Sequence, residues 1–118
     1  MQYAAIVTED LFMATKAQGI LRRASLMSHR TSPEALLEVD PPPTVVVLDL
    51  ALPQAAREAV VAWAKGRIPV VAFGPHVDVE ALFWARQAGC TGVLTKGQLE
   101  ARLGRAVSSA LPEDSAES

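Results

Sequence analysis

The run Thr44-Val45-Val46-Val47-Leu48-Asp49-Leu50, with Pro53 just beyond it, constrains this chain more than any other feature. A continuous, β-branched apolar run reads as a strand buried on both faces, the kind found in parallel sheets. A carboxylate at the C-terminal end of such a strand sits where open α/β sheets bind their ligands. Two further strand-like runs end in ionisable residues: Ala4-Ala5-Ile6-Val7 leads into Thr8-Glu9-Asp10, and Gly92-Val93-Leu94-Thr95 leads into Lys96. If the three strands are parallel neighbours, Asp49, Glu9 and Lys96 converge on one edge of the sheet. Two carboxylates and an ammonium there describe a phosphate and metal site, or the remains of one.

The rest of the sequence alternates between strand and helix. Residues 3–8 are expected as the first strand and Leu11 to Arg23 as the first helix, with Asp10 near its start to suit the dipole. Ala24 to His29 reads as a more polar edge strand. Ser32-Pro33-Glu34 opens a short helix, with Ser as cap and Pro at the first helical position, which carries Ala35, Leu36, Leu37 and Val39 as far as Pro41-Pro42-Pro43. After the Asp49 strand come a helix from Gln54 to Lys65 closed by Gly66, a strand from Ile68 to Phe73, and a helix from Val77 to Ala88 closed by Gly89. A strand from Thr91 to Lys96 and a helix from Gln98 to Leu111 complete the set. Residues 112–118 read as an acidic, frayed tail. Five βα units within 118 residues predict one α/β domain over residues 1–111: a five-stranded, doubly wound parallel sheet with helices on both faces.

Composition narrows the function classes. Half the residues are apolar, and the net charge of −2 leaves no footprint for nucleic acid. Cys90 is the only cysteine, so neither an internal disulfide nor a cysteine-rich zinc site is available. The N-terminus lacks a signal peptide's basic and apolar regions, and no stretch is long enough to span a bilayer. The expectation is a cytoplasmic protein with no membrane partner.

Four segments resemble the receiver domain of bacterial response regulators, over about residues 3–110. Ile6-Val7-Thr8-Glu9-Asp10 is similar to the first strand and acidic pair. Val46 to Pro53 is similar to the phosphoacceptor strand and its loop. Pro69 to Gly74 is similar to the fourth strand, and Ala88 to Gly97 to the stretch that ends in the family's lysine. The resemblance implies a flavodoxin-like (CheY-like) fold with strand order 2-1-3-4-5 and a site between strands one and three. It implies Asp49 as phosphoacceptor, Lys96 as phosphate-binding residue, and magnesium held weakly by Glu9, Asp49 and the backbone carbonyl of Ala51. Without metal, Lys96 is expected to pair with Asp49. Thr8 stands in place of an acidic residue, Gly74 in place of the switch hydroxyl, Val93 in place of the aromatic switch and Gly97 in place of a proline. By the same resemblance, Leu82, Phe83 and Val93 form a partner face on helix four, strand five and helix five.

Three functions compete. The first is a single-domain phosphorelay receiver, not an enzyme, that meets a sensor kinase or another signalling protein and forms homodimers through helix four, strand five and helix five. The second is a pseudo-receiver that works by protein contact without phosphorylation. The third is a small flavin protein, which needs a phosphate-cradling loop rich in Ser, Thr and Gly after strand one; Thr8-Glu9-Asp10-Leu11-Phe12 is acidic and bulky instead. Each residue also has a plainer reading. Asp49 can cap the turn that follows it, Glu9 and Asp10 can serve the helix dipole, and Cys90 can be a small apolar filler. Ala81, Trp84, Ala85 and Ala88 follow the i, i+3, i+4, i+7 spacing that faces the sheet and Leu82 and Phe83 fall off it, but a wider stripe can bury most of Leu82, Phe83 and Val93.

Overall fold

A computed structural model describes residues 2–111. The strands are β1 (Tyr3–Val7), β2 (Met27–Thr31), β3 (Val45–Asp49), β4 (Val70–Gly74) and β5 (Gly92–Thr95). They form one parallel sheet in the order β2-β1-β3-β4-β5. The helices are α1 (Leu11–Arg23), α2 (Pro33–Leu36), α3 (Gln54–Ala64), α4 (Val79–Gln87) and α5 (Leu99–Ala110), with a 3₁₀ turn at Lys96–Gln98. The strand order and the doubly wound class agree with the sequence reading. The acidic tail expected over 112–118 lies outside the described residues.

The period-two alternation of the strands divides the core in two. Ala5, Val7, Val46, Leu48, Val70 and Ala72 point to one face, where Leu36, Val60, Ala64, Ala81, Leu82 and Ala85 cover them from α2, α3 and α4. Ala4, Ile6, Val45, Val47, Val71 and Phe73 point to the other, under Met13, Ala17, Ile20 and Leu21 of α1 and Leu99, Leu103 and Val107 of α5. Every residue of β3, like those of β1 and β4, is buried, as a strand covered on both faces must be. That double burial is why the Val45–Leu48 run shows no polar alternation.

Boundaries moved where local hydrogen bonding beat the hydrophobic pattern. β2 starts at Met27, not Ala24, because α1 closes with Ser25 in the left-handed region (φ 65°). The Leu26 N–H donates to Leu21 O and the Ser25 N–H to Arg22 O, the paired bonds of a Schellman cap. α4 starts at Val79, because the Asp78 carboxylate accepts the Ala81 N–H and so takes the cap position. Lys96 and Gln98 leave the expected strand and helix for the 3₁₀ turn, where the Gln98 side chain accepts the Thr95 N–H at 2.9 Å. α2 ends at Leu36, short of Val39.

Candidate functional site at the carboxyl edge of the sheet

Register brings Thr8 and Asp49 together. Val7 pairs with Leu48, so the next residues, Thr8 and Asp49, leave adjacent strands side by side. Both are buried, Thr8 fully and Asp49 with 3% of its surface exposed. The Thr8 hydroxyl donates to Asp49 Oδ2 at 2.6 Å, and the Ala51 N–H donates to Asp49 Oδ1 at 2.9 Å. Each carboxylate oxygen therefore has a donor from the chain itself, and a bond to an ionised acceptor is among the stronger ones. Thr8 is fixed in turn, since its Oγ1 accepts the Asp10 N–H and its carbonyl accepts from the Arg30 guanidinium at 2.8 Å.

The two acidic residues after β1 take separate roles. Asp10 caps α1, its Oδ1 accepting the N–H groups of Phe12 and Met13. The dipole reading of Asp10 thus becomes a specific cap. Glu9 is exposed. Glu9, Asp10, Asp49, Ala51, Leu52 and Pro53 line a hollow of about 260 Å³ at this edge. The donors that would face a magnesium ion are Glu9, Asp49 and the Ala51 carbonyl. Among the described residues, no three His, Cys, Asp or Glu side chains gather as a metal cluster. Asp10 is committed to its helix, and each Asp49 oxygen accepts one hydrogen bond and keeps a further lone pair, so Glu9, Asp49 and the Ala51 carbonyl are the donors left that would hold the ion, with water for the rest.

The expected pairing of Lys96 with Asp49 is not found. Among the described residues the one ion pair is Arg23 with Glu100, both exposed. Asp49 is level with Phe73, and Phe73 with Leu94, so Lys96 begins two residues farther on and two strands away. Lys96 does not line the hollow beside Asp49. Of the three ionisable residues expected to converge, Asp49 and Glu9 share the hollow and Lys96 stands apart.

Gly74 explains its own missing side chain. A Cβ added there would lie 3.2 Å from Leu50 Cβ and 3.4 Å from Leu50 Cδ1. Leu50 is buried directly behind Asp49, and its N–H donates to Phe73 O at 2.8 Å. A Ser or Thr would place its first carbon tight against Leu50, which would have to give by a few tenths of an ångström. Val93 packs half-buried against the core beside α4. Leu82 is 6% exposed and belongs to that core, which corrects its assignment to a partner face, whereas Phe83 is 59% exposed. The wide-stripe reading holds for Leu82 and fails for Phe83. Cys90 sits half-buried against the same core, and desolvation pushes its thiol up to about 11, so it is a protonated filler at neutral pH.

Two contributors escaped the sequence reading. Thr8 registered only as a lost charge, although a hydroxyl next to a strand-end carboxylate is a ready donor once β1 and β3 are known neighbours. Arg57 carried no signal. It lies in the first turn of α3, donates to Leu50 O at 3.1 Å and stacks on Trp84.

No protein-family model matches the sequence, and comparison with curated proteins finds no match. Solved structures do match. A response regulator receiver protein from Burkholderia phymatum superimposes with a TM-score of 0.81 at 23% identity, covering 93% of this chain and 94% of that one. A receiver domain protein from Clostridium thermocellum gives 0.80 at 13% identity over 100% of both chains. A CheY-like receiver domain protein from Methanospirillum hungatei gives 0.77 at 18% identity, covering 100% of this chain and 99% of that one. The chain has the receiver fold. Among the described residues, no helix of this receiver-fold chain is long and apolar enough to cross a membrane.

Proposed function

We propose that residues 1–111 form a receiver-fold signalling module that works by protein contact, with Asp49 as a structural anchor rather than a phosphoryl acceptor. The observation that carries this reading is the buried Thr8–Asp49 hydrogen bond at 2.6 Å. Phosphoryl transfer to a carboxylate needs a free oxygen and charge neutralisation around the transferring group. Here Asp49 is buried and takes one hydrogen bond on each oxygen from Thr8 and Ala51, no ion pair joins it to Lys96, and a side chain at position 74 would press on Leu50. The contact surface is α4, where Val79 and Phe83 are exposed one turn apart, with Val77 just before them. Its partner is another signalling protein or a second copy of the chain.

The phosphorelay reading keeps one observation in its favour. Asp49 ends β3, where the sequence resemblance expects the acceptor, and lines the hollow shared with Glu9 and Ala51. Magnesium with a small acyl phosphate donor, followed by intact and peptide mass spectrometry, separates the two. The contact reading expects no phosphate adduct and no change in Trp fluorescence. An adduct mapped to Asp49 replaces it with the phosphoacceptor reading, in which Lys96 and Glu9 take their family roles.

A further inference from the structure

Arg57 joins the residue behind Asp49 to the helix that carries the exposed apolar face. Its Nη1 donates to the Leu50 carbonyl at 3.1 Å, its Nη2 donates to Gln54 Oε1, and its Cζ lies 5.1 Å from the centre of the Trp84 ring on α4. Its Nε is buried without a partner. A buried, unpaired N–H is unfavourable, so the guanidinium is held there by its other contacts and not by a full set of hydrogen bonds. Leu50 is itself a junction. It follows Asp49, its N–H donates to the end of β4, and its side chain packs over Gly74. Trp84 directly follows Phe83 and is half-buried, whereas Phe83 projects into solvent.

Gly74 has no side chain to report on the Asp49 loop, and Val93 has no ring to turn. The contact from Leu50 through Arg57 to Trp84 runs between the same two regions by a different route. We propose that Arg57 is a positioning residue that couples the loop after Asp49 to α4, so that contact at the α4 face and the arrangement of that loop bias each other. Coupling of this kind is reciprocal. A cation over an indole face and a guanidinium bond to a carbonyl are both directional, so displacing one end reorients the other. The inference deepens the contact reading and rests on it only in taking α4 as the contact face.

The test perturbs one end and reads the other, on the full chain with neither phosphodonor nor magnesium present, so its outcome is independent of whether Asp49 accepts phosphate. Thr8→Val removes the hydroxyl from Asp49, and backbone amide spectra report residue by residue. In the otherwise unaltered chain, Thr8→Val should shift the amide signals of residues 49–52 and also those of 79–87. In an Arg57→Met background the shifts at 49–52 should remain and those at 79–87 should vanish. Arg57→Lys, which keeps the cation and loses the fork, should restore part of the response. Trp84→Leu breaks the far end and should behave as Arg57→Met does, and it decides the matter if Arg57→Met does not fold. The proposal is overturned if α4 ignores Thr8→Val in the unaltered Arg57 chain, or if α4 responds equally with Arg57 removed.

Discussion

The two halves of the carboxyl edge differ in how they are tied. On the β1–β3 side, Thr8, Asp10, Arg30, Asp49 and Ala51 form a continuous set of hydrogen bonds around one buried carboxylate. On the β4–β5 side, Gly74 has no side chain, Val93 packs into the core, and Lys96 opens a 3₁₀ turn without an ion-pair partner among the described residues. Both halves occupy the positions at which a parallel sheet presents a ligand site. Fold position supplies the address of a site, and the side chains decide whether chemistry is present there. One half has spent its polar groups on itself, and the other has little polar chemistry to offer.

Four substitutions test that contrast. Thr8→Val is nearly isosteric and leaves the buried Asp49 one donor short. We expect a loss of roughly 2–3 kcal/mol in urea unfolding, since a hydrogen bond to a charged group is being removed. A loss below 0.5 kcal/mol would make the β1–β3 network decorative and weaken the anchor reading. Gly74→Ser brings a Cβ to Leu50 and should cost about 1–2 kcal/mol through overpacking. Combined with Leu50→Ala, which removes Cγ and Cδ1, it should cost less than the sum of the two single changes; additive losses would show that those two atoms do not set the limit at Gly74. Asp10→Ala removes the α1 cap and should cost about 1 kcal/mol, read as a lower thermal midpoint with unchanged far-ultraviolet circular dichroism in the cold. Glu9→Gln, on an exposed residue, should leave stability within about 0.5 kcal/mol. If that variant abolished a magnesium response seen in the unaltered chain, the hollow would be a live metal site and the contrast between the halves would collapse.

The fold was largely legible before the structure, for identifiable reasons. The buried runs at 4–7 and 45–48 have no polar alternation, which leaves a two-sided parallel sheet as their natural setting. Gly66 and Gly89, at φ 76° and 93°, end their helices in the left-handed region, as their placement suggested. The element ends were less legible. Ser25 takes that left-handed conformation without being glycine, and the capping role of Asp78 competes with the apolar Val77 beside it. On α4 the spacing rule named Ala81, Trp84, Ala85 and Ala88 but excluded Leu82, because a helix seated over two strands buries a wider arc than a narrow stripe.

For the site, the sequence alone expected Asp49, Glu9 and Lys96 at one edge, because strand ends and chain order follow from local pattern; Asp49 and Glu9 line one hollow there and Lys96 does not. It also showed which receiver side chains are absent at 8, 74, 93 and 97. It could not show what the substitutes do, because hydrogen bonds and steric limits depend on residues distant in the chain. Thr8 reaches Asp49 across 41 positions of sequence, and Gly74 is constrained by Leu50 in the turn after β3. Only the tertiary structure turned an apparent loss of charge at Thr8 into a donated hydrogen bond, and an empty position at Gly74 into one hemmed in by Leu50.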